Sequence, residues 1–382
     1  MPVTTSTPRG LDGVVAVQTR LSHVDGQNGI LVIGGYELKQ LAGKVTFEEA
    51  AHLLWTGHLP TRSEAEKLSR EMAPLRPIPK SAMAIVCEAA KQGAPPIDAM
   101  RMACSALSLD VHGGPNNISH DADIWNAKML VARLPTIIAA YTRTVAGRAP
   151  IAPRTDLSLA ANFLYMVNGK EVDPIAARAL DTYWVTVIDH GMNASTFTAR
   201  VIASTRSDMV SAVTGAIGAL KGPLHGGAPG PVLDMLIGIR TAENAEDWVR
   251  RELAAGRRIM GFGHRVYKVR DPRAEVLAQV AREMAGAVLH DRRLFDLARE
   301  VEKTALRLLH DVKPGRNLKT NVEFYTALVL QSLGLPPSTF VAMFACGRCA
   351  GWCAHVIEQH VEDHLIRPQS KYIGPRGPTM QR

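Results

Sequence analysis

Met209-Val-Ser-Ala-Val-Thr-Gly-Ala-Ile-Gly-Ala-Leu-Lys-Gly-Pro-Leu-His-Gly-Gly-Ala228 holds the two features that organise the whole chain. From Met209 to Leu220 it is apolar around most of a helical circumference. Such a helix does not lie on a surface; it is buried within a thick stack of other helices. At Lys221 the pattern stops, and Gly222-Pro-Leu-His-Gly-Gly follows, setting His225 among residues that let a backbone turn sharply or approach a ligand closely. A buried helix delivering an ionisable side chain to a glycine-rich loop is the unit from which the rest can be read.

Working outward, nearly every patterned stretch has helical period. Thr61-Arg-Ser-Glu64 reads as a capping box opening a helix through Glu71. Asp121 to Ala146 is long and periodic, with Pro135 expected to kink or end it. Helices are expected over Asp173–Asp189, Ser195–Ser204, Met209–Leu220, Ala245–Ala255, Pro272–Ala285, His290–His310, Thr320–Leu333 and Ser338–Val361. Alternation of the strand type is scarce; Gly29–Gly34, around Ile30-Leu-Val-Ile33, is the best example. The expected fold class is all-α.

Composition narrows the function. The chain has 382 residues, 46% of them apolar, enough for two or three structural units with sizeable cores. A net charge of +8 raises nucleic acid as a partner, but the basic residues are scattered among 36 acidic ones. Aromatics are only 5%, too few for a base-stacking platform. The pattern reads first as a basic solvated surface, and a functional share of the charge would go to small polyanions that a positive cleft steers. MPVTTSTPRG has no signal-peptide pattern, and no uncharged apolar run approaches the ~20 residues of a membrane span. Five cysteines, an odd number, point to reduced thiols and a cytoplasmic setting. Neither nucleic acid nor membrane is expected as a partner.

Two further loops resemble the one at His225: Gly261-Phe-Gly-His-Arg265 and Lys319-Thr-Asn-Val-Glu-Phe324. Each has a bland explanation alone. A histidine beside glycines is commonly a turn residue, a carboxylate at a helix start favours the dipole, and Arg273 suits a first turn. Together with other blocks they resemble the citrate synthase family in order along nearly the whole chain. Those blocks are Gly10-Leu-Asp-Gly-Val-Val15, Ser22-His-Val-Asp-Gly26, Phe47-Glu-Glu-Ala-Ala51, Leu53-Leu-Trp-Thr-Gly57 and Asp189-His-Gly-Met-Asn-Ala-Ser-Thr-Phe197. They continue with Gly261–Lys268, Asp271-Pro-Arg-Ala274, Arg348-Cys-Ala-Gly-Trp-Cys-Ala-His355 and Arg367-Pro-Gln-Ser-Lys-Tyr-Ile-Gly374.

The resemblance implies a two-domain helical homodimer of the compact bacterial and archaeal type. Residues 1–225 and 334–382 would form the large domain and 226–333 a smaller mobile one. It implies condensation of acetyl-CoA with oxaloacetate and hydrolysis of the thioester. Glu323 would take the base position, His225 would hold the thioester carbonyl, and His264 would polarise the ketone. Arg273, Arg348 and His190, with Asn193 beside it, would bind oxaloacetate, and Arg367 would reach across from the partner subunit. Lys268 would meet CoA phosphate, and the backbone around Ile259, Gly261 and Gly263 would lie against adenine. No tightly bound cofactor is implied, since the coenzyme A thioester is itself a substrate. The family carries aspartate where this chain has Glu323; one more methylene moves a carboxylate by about one bond, and ~1 Å can cost ~10²-fold in rate. Either the backbone is set back to compensate, or acyl-chain preference differs, or activity is reduced; with every other motif intact, compensation is expected.

Two alternatives stand beside this reading. 2-Methylcitrate synthase, using propionyl-CoA, needs the same groups, and a non-catalytic paralogue would only bind acyl-CoA or dicarboxylate. Cys346, Cys349 and Cys353 share one helical face with small residues, which suits close packing and not a metal site.

Overall fold

The computed structural model describes residues 9–11, 13–113, 118–225, 229–289, 291–316, 318–374 and 377. Residues 1–8, Asp12, 226–228 and His290, which fall in segments singled out above, lie outside them. A small antiparallel sheet comes first: β1 (Ser22–Asp25), β2 (Ile30–Ile33) and β3 (Tyr36–Glu37), with Ser22 opposite Ile33 and Val32 opposite Glu37. After one turn at Leu38–Leu41 the chain is helical. The first helices are α1 (Phe47–Thr56), α2 (Arg62–Met72), α3 (Lys80–Lys91), α4 (Pro96–Ala106), α5 (His120–Val145), α6 (Leu159–Asn168) and α7 (Pro174–Val187). Then come α8 (Ala194–Ala203), α9 (Met209–Leu220), α10 (Pro229–Ile239), α11 (Ala245–Ala254), α12 (Pro272–Glu283), α13 (Arg293–Val312), α14 (Val322–Ser332) and α15 (Phe340–Glu362). The all-α expectation holds.

α15 is the hub. It packs against α1, α5, α7, α8 and α9, and its apolar length would suffice to cross a membrane were most of it not buried inside the protein. Glycine allows that packing. A Cβ on Gly351 would lie 2.2 Å from the Ile188 carbonyl oxygen, and one on Gly347 would meet Trp184 and Val187. Cys346, Cys349 and Cys353 are free, buried thiols on this helix. Gly351→Ala is therefore expected to destabilise the fold by about 1–3 kcal/mol, read as a lower denaturant midpoint at unchanged slope. Helices α10 to α14 pack mainly among themselves and meet the rest chiefly through α7.

Local signals explain most of these elements. Thr61 and Glu64 form both halves of the expected capping box on α2. α9 occupies the quoted Met209–Leu220 stretch and is capped by Asp208. α5 is not ended by Pro135, one of the two outcomes expected there, but runs on from His120 to Val145. The ring costs about 3 kcal/mol in a helix interior, but most of this helix is buried in the core, and packing outweighs the lost hydrogen bond. The helices α1, α3, α4, α6 and α10 are additional to those read from periodicity. α3 and α4 open after prolines without a side-chain cap, so the usual start signal is missing.

Candidate active site

Two of the three loops are joined to each other. Gly263 N–H donates to Lys319 O (2.7 Å) and Asn321 N–H to Gly261 O (2.9 Å), with Phe262 and Thr320 forming an antiparallel bridge. Gly261 has φ +83°, and a Cβ there would lie 2.7 Å from the Phe324 ring. Only glycine fits both demands. Asn321 then caps α14, accepting from Glu323 N–H at 3.0 Å, while its amide donates to Gly263 O at 2.9 Å. One short bridge thus sets His264 and Glu323 in register.

Asp271 fastens a third group to them. Its buried carboxylate accepts from Arg273 Nε (3.0 Å) and Nη2 (2.8 Å), and from Val322 N–H (3.2 Å) at the start of α14. Burial opposes the charge on Arg273, and Asp271 more than offsets it, holding the guanidinium cationic. The fork faces His264: Arg273 Nη2 lies 3.3 Å from His264 Nε2. His264 Nδ1 already accepts two backbone N–H groups, from Val266 (3.0 Å) and Tyr267 (3.1 Å). A nitrogen accepting from amides carries no proton, so the neutral ring has its proton on Nε2. Arg273 and His264 therefore present two donors side by side, an arrangement that an oxygen acceptor would satisfy. Burial, then the Arg273 charge, pull the His264 pKa down to about 4, so the ring is neutral at pH 7.

His225 is held by the same device. Its Nε2 accepts from Ser195 N–H (3.2 Å) in the first turn of α8 and lies 2.8 Å from Ser195 Oγ. That hydroxyl receives Trp352 Nε1–H at 3.1 Å and lies 2.8 Å from Asn193 Oδ1. With Ser195 N–H donating to Nε2, the neutral ring carries its proton on Nδ1. Burial, then Arg348, lower this pKa to about 4 as well. His190 lies edge-on to His264, ring centroids 5.6 Å apart, with Nε2 3.1 Å from Tyr267 OH. Its pKa falls well below the usual imidazole range through burial, Arg273 and Arg348.

Arg348 is 2% exposed, donates from Nε to Val187 O (2.6 Å), and stands 4.8 Å over the Phe344 ring. No carboxylate among the described residues lies within ion-pair distance of it. Burial pulls its pKa down to about 10. Two buried guanidiniums that repel each other across a cluster of neutral imidazoles create a field that a di- or tricarboxylate would relieve. In that field sits Glu323, half-buried in the first turn of α14. Burial raises its carboxyl pKa to about 7, although the Arg273 charge pulls the other way. A carboxyl balanced near neutrality in the field of Arg273 is suited to taking a proton from carbon.

The other residues singled out from the sequence are placed differently. Asn193 is committed to capping α8, accepting from Thr196 N–H at 3.1 Å. Ile259 is buried just before the bridge. Lys268 is exposed, and its backbone N–H donates to Gly26 O (2.8 Å), so the β1–β2 turn braces the His264 loop. Arg367 is exposed on the irregular segment after α15. Sequence reading assigned no role to Ser195, Tyr267, Asp271 or Trp352. Asp271 carried a signal, as an N-cap aspartate before Pro272; the others became legible only in three dimensions.

The family model described as "Citrate synthase, C-terminal domain" matches residues 10–369. The chain belongs to the citrate synthase family. It is an enzyme of citrate synthase type, a transferase. It is 38% identical to the citrate synthase of Haloferax volcanii, with 96% of each chain covered. It is 37% identical to a 2-methylcitrate synthase of Mycobacterium tuberculosis, covering 96% of this chain and 90% of that one. Among solved structures it resembles Thermoplasma acidophilum citrate synthase in ternary complex with carboxymethyl coenzyme A and oxaloacetate. There the TM-score is 0.89 at 29% identity, covering 99% of this chain and 98% of that one.

Proposed function

We propose that the enzyme joins the methyl carbon of acetyl-CoA to the ketone carbon of oxaloacetate and hydrolyses the resulting citryl thioester, releasing citrate and CoA. Glu323 takes the methyl proton. His225 Nδ1–H donates to the thioester oxygen as the enolate forms, and His264 Nε2–H donates to the ketone oxygen as it becomes an alkoxide. Arg273, Arg348 and His190 hold the oxaloacetate carboxylates. Each oriented donor to a developing oxyanion contributes roughly 3–4 kcal/mol, and a positioned base ~10²–10⁴-fold. The observation that carries this reading is the pairing of two imidazoles, each with its tautomer fixed by backbone amides, with a carboxyl whose pKa is about 7.

The same reading assigns residues 1–225 and 334–382 to a large domain and 226–333 to a small one that closes over the substrates. The self-packing of α10 to α14 supports that division. CoA lies along the backbone near Ile259, Gly261 and Gly263 with Lys268 at a phosphate. Arg367 serves the neighbouring site in a homodimer. Release of free thiol on mixing the protein with oxaloacetate and acetyl-CoA tests the proposal, and absence of release with both ligands bound would overturn it.

The pH dependence follows from Glu323. Only its ionised form accepts a proton, and its pKa stands at about 7. kcat/KM is therefore expected to fall about tenfold per pH unit below 7 and level off above it. The histidines, neutral down to about pH 4, add no limb in that window.

The 2-methylcitrate synthase relative, nearly as similar as the citrate synthase, supports a second acyl substrate. One methylene is worth about 1–3 kcal/mol of discrimination. We expect acetyl-CoA to be preferred over propionyl-CoA within that range. A kcat/KM comparison checks it, and preference for propionyl-CoA reverses the assignment.

A further inference from the structure

Away from these loops, three metal-ligating side chains recur at a spacing of six: His52, His58 and Glu64. A single helix–turn–helix gathers them. His52 lies in α1, whose C-cap Gly57 adopts φ +85° and reverses the chain, so that His58 folds back against His52 with ring centroids 5.1 Å apart, edge to face. Thr61 then starts α2, and its capping box fixes Glu64. The carboxylate receives Thr61 N–H and Thr61 Oγ–H on Oε2, both at 2.8 Å. That leaves Oε1 facing His58 Nε2 at 3.3 Å.

We propose that His52, His58 and Glu64 form a site for a divalent transition metal ion of the zinc type, with water completing the coordination. One ligand atom from each residue lies within 4.8 Å of the others. Bonds of ~2.0–2.1 Å in tetrahedral geometry place neighbouring ligands about 3.3 Å apart, the spacing His58 and Glu64 already have. Half-exposed His58 has the freedom to close the rest. A second observation points the same way: His52 Nε2 is buried and has no hydrogen-bond partner among the described residues. A buried nitrogen left unpaired is destabilising, and a metal ion would offset that. Two imidazoles with one carboxylate select zinc-type ions over calcium or magnesium, which take all-oxygen shells. The Glu64–Thr61 hydrogen bonds supply the outer support that ligating carboxylates require. Bound metal would clamp the end of α1 to the start of α2; α1 is itself tied to α15 through Trp55 Nε1–H to Ala350 O (3.1 Å).

The test is equilibrium dialysis of the chelator-treated, tag-free full chain against Zn2+ alone, with thermal melting in parallel. One equivalent is expected to bind and to raise the melting temperature. Loss of an outer-shell partner alone costs about 10–100-fold in affinity, so removing a ligand by His58→Ala is expected to weaken binding at least ~100-fold and abolish the thermal shift. Glu64→Gln should do likewise, whereas His310→Ala, at another exposed histidine, should leave both unchanged. No stoichiometric binding, or binding that His58→Ala leaves intact, overturns the proposal.

Discussion

Glu323→Gln is expected to slow condensation by about 10²–10⁴-fold while both substrates still bind within a few-fold of their native affinities. Thiol release against calorimetric binding separates the two. The amide keeps the length of the side chain and an oxygen acceptor, but it has no site for the abstracted proton. Linkage gives a second signature. The folded carboxyl has its pKa raised from 4.5 to about 7 by burial, so between those values the folded state binds more protons than the unfolded chain. Stability from this group is full below about pH 4.5 and is lost as pH rises through 7. Glutamine cannot ionise, and at pH 8 the variant is expected to be more stable by up to roughly 3 kcal/mol. A dead enzyme that is also more stable would mark Glu323 as a functional group held at a cost to the fold. Near-normal turnover would remove it as the base.

Much of this was legible in the sequence because the governing signals are local. The buried character of α9, the capping box at Thr61 and the scarcity of alternation set an all-α fold. Glycines around His264, where φ is positive and a Cβ would meet Phe324 or Leu318, mark a loop that only that residue type permits. What stayed hidden depends on long-range geometry. Nothing in the local sequence joins Ser195 to His225, thirty residues on, or brings Trp352 to Ser195 Oγ. The tautomer of His225 follows from a contact of this kind, and with it the direction in which the ring donates. That of His264 is set locally by Val266 and Tyr267 N–H. Pro135 does not end its helix for the converse reason: packing from elements far away in sequence outweighs the local cost.

Arg273→Lys tests whether the fork, and not merely the charge, is what the site uses. The arginine is 3% exposed and spends Nε and Nη2 on the two oxygens of Asp271 while Nη2 also borders His264 Nε2. A lysine has a single nitrogen on a flexible stem and cannot serve Asp271 in bidentate fashion and a substrate carboxylate together. Whichever it abandons leaves a buried charge short of partners, at about 2–5 kcal/mol. The expected result is a fall in kcat/KM for oxaloacetate of at least ~30-fold with a higher oxaloacetate KM, while acetyl-CoA affinity changes little. The melting temperature should fall too, because Asp271 also receives Val322 N–H at the start of α14 and so steadies the turn that carries Glu323. Because lysine retains the positive charge, the His264 and Glu323 pKa values should move little, and the pH profile of the residual activity should keep its midpoint near 7. A variant with normal oxaloacetate KM would show that charge alone suffices and that the bidentate geometry serves only the fold.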